Sequence, residues 1–208
     1  MTQTLQKHES LVRNWVSQAQ EGLNVNTEKY LEKSFRTITE ESTPSFIADT
    51  LIKNALENID EVNTDWTYLA ARIYLYDLYR KAAENRGYDA ELRYGDFYEL
   101  IQTLVDKVIY TPALLEKYSK EEISHFGEHI KPERDRLFTY LSIYTLATRY
   151  LATDHDKNIF ELPQERWMII AMHLMQDEPK DKRTALVEEA YWALSNLYMT
   201  VATPTLSN

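Results

Sequence analysis

The 208 residues carry 33 acidic against 23 basic side chains, a formal charge of −10, which opposes sequence-independent attraction to nucleic acid or to an anionic membrane surface. Cysteine is absent, which excludes a disulfide, a thiolate metal site and a cysteine nucleophile or radical carrier within this chain. With 44% hydrophobic residues a substantial core is available, while the lack of a signal-like apolar start or of any apolar run near the ~20 residues of a membrane span points to a soluble, cytoplasmic protein.

Only four glycines occur, and apolar residues recur at three- and four-residue steps, so the chain reads as mainly α, with roughly nine or ten helices. Leu11, Val12, Trp15, Val16 and Ala19 share one face, and Tyr30, Leu31, Ser34, Phe35 and Ile38 another, which predicts two short helices. Ser42-Thr43-Pro44 offers an N-cap and a first-turn proline before a third, with Phe46, Ile47, Leu51, Ile52, Ala55, Leu56 and Ile59 as its apolar face. Thr64-Asp65 is read as the cap of a fourth helix that buries Leu69, Ile73, Tyr76, Leu78 and Tyr79. Arg86-Gly87 ends it, since glycine accepts the left-handed C-terminal conformation, and Gly87 marks the expected division between residues 1–87 and 88–208.

Past a short connection from Tyr88 to Gly95, residues 97–109, 112–118, 120–130 and 134–151 read as further helices. Tyr150-Leu151-Ala152 and Asn158 to Leu162, flanking a polar turn from Thr153 to Lys157, predict one small β-hairpin. Pro163 opens a helix bearing Trp167, Ile170, Ala171, Leu174 and Met175, and a charged loop from Gln176 to Arg183 leads to the last. There Ala185, Val187, Ala190, Tyr191, Leu194, Leu197, Tyr198 and Val201 recur at helical spacing and deliver a Thr-Pro turn.

His125-Phe126-Gly127-Glu128-His129 has the spacing of inverted zinc peptidases, in which two histidines one turn apart grip zinc and the glutamate polarises water. The surrounding charges and Gly127 favour an exposed polar stretch instead. Glu122 and His125 have the spacing of half a di-iron site, but the second copy such a site needs is missing. Tyr68, Tyr74, Tyr76 and Tyr79, and later Phe138, Tyr140, Tyr144 and Tyr150, read as core rings whose hydroxyls reach polar partners. Arg134-Asp135-Arg136 reads as local ion pairing at a helix start rather than as a phosphate clamp. Thr203, Thr205 and Ser207 form a hydroxyl turn that suits phosphate oxygens but serves as a cap by residue type alone.

Four segments in the same order, Asp65 to Ile73, Glu133 to Tyr140, Glu161 to Arg166 and Ala202 to Asn208, resemble the N-terminal portion of the large (alpha) subunit of class I ribonucleotide reductase. The resemblance runs from about His8 to Asn208. It implies a helical, partial ATP-cone followed by a helical domain that ends where the catalytic α/β barrel begins. It further implies that Thr203 helps to bind a nucleoside diphosphate substrate, and that Arg134-Asp135 belongs to the helical support of the barrel.

Trp15 through Lys81 is similar to the helical part of the cone, while Met1 to Lys7 leaves no room for its phosphate-gripping hairpin. Pro44 stands where a nucleotide-contacting threonine is typical, flanked by Thr43 and Ser45, and Arg80 holds a basic position often occupied by lysine. Thr43 and Arg80 are therefore the candidate effector contacts. The resemblance implies the reduction of ribonucleotides by a thiyl radical that this cysteine-free segment cannot carry. No catalytic residue, metal or cofactor is expected in this chain. The implied partners are the remainder of the alpha subunit with its barrel and a small (beta) subunit holding a radical-generating metal cofactor. Nucleotide effectors and an oligomeric assembly complete that set. The alternatives are a stand-alone helical regulatory or interaction protein, or a zinc hydrolase using His125, Glu128 and His129.

Overall fold

In the computed structural model, which describes residues 3–206, helices dominate as the periodicity predicts. Eleven α-helices lie among the described residues: α1 Gln3–Ala19, α2 Glu28–Phe35, α3 Pro44–Leu56, α4 Trp66–Arg86, α5 Phe97–Asp106, α6 Ala113–Lys117, α7 Lys120–Glu128, α8 Tyr140–Arg149, α9 Pro163–Met175, α10 Lys180–Ser195 and α11 Thr203–Leu206. Two 3-10 turns, Ala90–Leu92 and Pro132–Leu137, complete them. Contacts gather the chain into two compact units, one of Met1–Asp77 with Phe138–Tyr144, the other of Leu78–Leu137 with Thr145–Asn208.

In the first unit Val12, Trp15, Val16 and Ala19 of α1 are buried, as their spacing requires, on a helix of 17 residues rather than a short one. The Tyr30 hydroxyl of α2 donates to the Leu51 carbonyl (3.0 Å), and Asn54 Nδ2 donates to Ser34 Oγ (2.9 Å), so polar atoms register α2 on α3 inside an apolar core. Thr43 caps α3 through its hydroxyl, which accepts from the Phe46 N–H (3.2 Å), with Pro44 in the first turn. Phe46 and Ile59, expected inside, are exposed. Arg72 of α4 donates to the Ala19 and Glu21 carbonyls, both at 2.7 Å, and so satisfies acceptors that the end of α1 leaves open. Asp65 directly precedes α4 and its carbonyl accepts from the Leu69 N–H (3.1 Å), but its carboxylate accepts from the Asn24 N–H (2.8 Å), a tertiary bond invisible in a local pattern.

Within the second unit, Gly87 closes α4 with φ +74°, and the N–H groups of Gly87 and Tyr88 both reach the Ala83 carbonyl. Asp96 caps α5 by accepting from the Glu99 N–H (2.8 Å). Ser119 and Glu122 form a reciprocal capping box on α7. The single helix expected over 134–151 is broken: a 3-10 turn ends at Leu137, and α8 starts at Tyr140 after Thr139. Thr139 Oγ1 accepts from the Ser142 N–H (3.4 Å), the side-chain competition with the helix that favours a new start.

The expected hairpin is a tight reversal carrying one antiparallel bridge, Thr153 to Ile159. Asp154 takes up the N–H groups of Asp156 (3.0 Å) and Asn158 (2.9 Å), so these donors close a turn instead of extending a ladder. Helix α9 is buried continuously from Pro163 to Met172 and packs along α10. α10 begins inside the expected charged loop and stops at Ser195, leaving Leu197 at φ +59° and Tyr198 exposed beyond it. Among the described residues no helix is long and apolar enough to cross a membrane.

Candidate functional site

Arg166 on α9 organises the region of the second unit that receives the Thr-Pro turn. Its buried guanidinium donates to the Tyr110 hydroxyl and to the Leu206 carbonyl, the last residue of α11. Glu161, fully buried, lies 3.6 Å from the same guanidinium, accepts from the Tyr110 hydroxyl (2.7 Å) and receives the Ala152 N–H (2.9 Å). A charged pair without solvent is tolerated only with hydrogen bonds of this kind around it. The outcome is a fixed mount for the Thr203–Leu206 turn.

Thr203 itself is exposed, with its Oγ1 3.3 Å from the Tyr150 hydroxyl, and Thr205 is likewise exposed. Ser207 lies outside the described residues. Beside the turn a cavity of about 400 Å³ is bordered by Tyr110, Arg166, Ile170, His173, Pro204 and Thr205. Burial, reinforced by the Arg166 charge, pushes the His173 imidazole below its usual range. The combination is an apolar recess lined also by hydroxyls and one guanidinium. Tyr110 and Arg166 carry the geometry, yet the sequence reading used Arg166 only as part of a resemblance and passed over Tyr110. Buried charge on an apolar helix is the signal that could have found Arg166.

Asp135 is correctly read as structural but for a different reason than pairing with Arg134 or Arg136. Its buried carboxylate accepts from the hydroxyls of Tyr79 (2.5 Å) and Tyr94 (2.7 Å) and from Gln164 Nε2 (2.7 Å). Gln164 Oε1 in turn accepts from the Tyr191 hydroxyl (3.0 Å). Desolvation lifts the Asp135 carboxyl to about 6 in spite of those donors. Glu165, buried beside Arg86 at 2.8 Å, is lifted by the same cause to about 7. Of the tyrosines expected as core rings, Tyr79 serves this network through its hydroxyl, whereas Tyr144 is exposed.

The two candidate effector residues fall in different units. Thr43 spends its hydroxyl on the α3 cap and borders a recess of about 310 Å³ with Thr39, Glu41, Ser42 and Phe46. Arg80 pairs with Glu84 on its own helix at 3.0 Å. Glu122, one half of the rejected di-iron pattern, binds Arg183 at 2.7 Å. His125 and His129 do share a face, but Glu128 is exposed, and the carboxylate they meet is Glu188 of α10.

The family described as "Ribonucleotide reductase, all-alpha domain" matches residues 136–208. A ribonucleoside-diphosphate reductase subunit alpha from Helicobacter pylori is 35% identical over 198 residues, covering 95% of this chain and 24% of the relative. The corresponding subunit of Enterobacteria phage T4 is 33% identical over 193 residues, 92% of this chain and 25% of the relative. That of Escherichia coli is 30% identical over 169 residues, 78% and 21% respectively. The helical fold is thus that of the N-terminal portion of a ribonucleotide reductase large subunit. The chain spans about a quarter of the length of the curated relatives it matches. It belongs to the ribonucleoside-diphosphate reductase alpha-subunit family. That membership gives no support to the zinc hydrolase or to the stand-alone regulator.

Proposed function

We infer that this chain serves as the N-terminal segment of a ribonucleoside-diphosphate reductase alpha subunit and contributes to making deoxyribonucleotides for DNA synthesis. The observation that carries this reading is likeness to such subunits along 95% of the chain. Having no cysteine, the segment supports the thiyl chemistry of a barrel borne by the remainder of the subunit. Its own contributions are the helical buttress of that barrel and one edge of the substrate site. A radical-generating small subunit with its metal cofactor, nucleotide effectors, an oligomeric assembly and a cytoplasmic location complete the proposal.

Thr203 is assigned to the diphosphate of the substrate, with Arg166 and Tyr110 as positioning residues behind it. Thr203→Val keeps the shape and removes the hydroxyl. In the assembled enzyme, diphosphate affinity should fall by about 1.5–3 kcal/mol, the scale of a hydrogen bond to a charged group, with little change in melting temperature. Unchanged affinity beside a clear drop in melting temperature would return Thr203 to a capping role.

Residues 1–87 are assigned to a partial ATP-cone, with 88–208 as the helical domain proper. Thr43, already used as a cap, and Arg80, already paired, suit weak nucleotide contact rather than a strong switch. ATP and dATP are therefore expected to leave activity of the assembly nearly unchanged through this region. Calorimetry that finds tight dATP binding abolished by Arg80→Ala, with loss of inhibition, would overturn this.

A further inference from the structure

We propose that His125, His129 and Glu188 form a binding site for a divalent d-block cation of the zinc class, which bridges α7 and α10. One candidate ligand atom from each residue lies within 4.8 Å of the other two. His125 Nε2 and Glu188 Oε1 are 2.8 Å apart, and His129 Nε2 is 3.6 Å from the same oxygen. Ligands on a tetrahedral zinc with bonds near 2.1 Å stand roughly 3.4 Å apart, so side-chain rotations that move the ligand atoms by up to about 1 Å admit the ion.

The tautomer is also set. His129 Nδ1 lies 2.8 Å from the His125 carbonyl, which only accepts, so that nitrogen carries the proton and Nε2 keeps its lone pair for a metal. The cation takes the place of the hydrogen between His125 Nε2 and Glu188, and the His125 ring carries its one proton on Nδ1 instead. Two imidazoles and one carboxylate are a ligand set suited to zinc, cobalt or nickel rather than to magnesium or calcium.

The helices are held in register on both sides of the cluster. Before it, Arg183 of α10 donates to Glu122 of α7 at 2.7 Å; after it, the Lys131 N–H donates to the Tyr191 hydroxyl at 2.9 Å. The two helix segments are thus placed before any ion arrives. All three ligand residues are half-buried, open enough for an ion and a water in the fourth position. The role is a clamp between helices rather than hydrolysis, because Glu128 does not join the cluster.

The test is calorimetric titration of the chelator-treated chain with zinc alone, repeated with Co²⁺ to read the ligand-field bands of a tetrahedral site. Expected are one ion per chain, tetrahedral Co²⁺ bands and a melting temperature that rises with zinc. His125→Ala, His129→Ala and Glu188→Gln should each weaken binding tenfold or more, while Glu128→Gln leaves it unchanged. Circular dichroism checks that each variant is folded. Absence of stoichiometric binding, equal binding in the ligand variants, or a loss in Glu128→Gln as large as in Glu188→Gln overturns the proposal.

Discussion

Asp135→Ala is expected to destabilise the second unit by about 3–5 kcal/mol, because it strands three buried donors, Tyr79, Tyr94 and Gln164. Urea titration followed by exchange of the α9 amides would measure it within that unit. Asp135→Asn tests the electrostatic part separately. The carboxyl sits at about 6 in the folded protein, above the ~3.9 of an unfolded aspartate. A raised folded value means that its stabilising contribution is complete below pH ~4 and is lost as pH rises through about 6. The stability of the unsubstituted chain relative to Asp135→Asn should therefore be greater at pH 5 than at pH 7.5, by about 1.4 kcal/mol. A gap that stays constant, or widens toward pH 7.5, would refute the assignment.

Arg166→Met should cost a similar ~3–5 kcal/mol, since it leaves the Glu161 carboxylate buried without its cation. It also removes the donor to the Leu206 carbonyl, so the Thr-Pro turn loses its mount. In the assembled enzyme, diphosphate affinity should then fall even though no substrate contact has been deleted. Pairing Arg166→Met with Glu161→Gln removes both charges, and a large part of the stability should return while the affinity does not. If the single and paired variants are equally stable, the buried pair is not what holds this corner together.

Local chemistry was readable where it acts over three or four residues. Thr43 with Pro44 and Gly87 at φ +74° stand as their residue types require. The apolar face of α1 is likewise buried as spacing predicts, whereas Leu174 on the expected face of α9 is exposed. Long-range polar bonds account for most of what was missed. Asp65 looks like a cap by position but answers Asn24, and Asp135 looks like a partner for adjacent arginines but answers Tyr79, Tyr94 and Gln164. Glu188 is 63 positions from His125, so periodicity had no means of setting it against the histidines. The break before α8 was foreshadowed by Thr139 and Ser142, but a continuous apolar face masked it. Arg166 was quoted for family likeness, while its grip on Leu206 depends on where the chain returns 40 residues later.

The seven residues Phe138–Tyr144 belong with Met1–Asp77, although the chain on either side of them belongs to the other unit. Tyr140 stacks edge-on against Tyr74 with ring centroids 5.9 Å apart, and its N–H donates to Thr67 Oγ1 at 3.3 Å. Residues Met1–Asp77 are therefore not a unit complete in themselves. A gene truncated before Leu78 would leave Ile143, fully buried in the intact chain, without its setting, and a transplanted N-terminal fragment would arrive lacking a piece of its own wall. Lineages that shed or exchange this module must compensate at Phe138–Tyr144 as well, and paired substitutions between that short stretch and α4 are where such a history should be written.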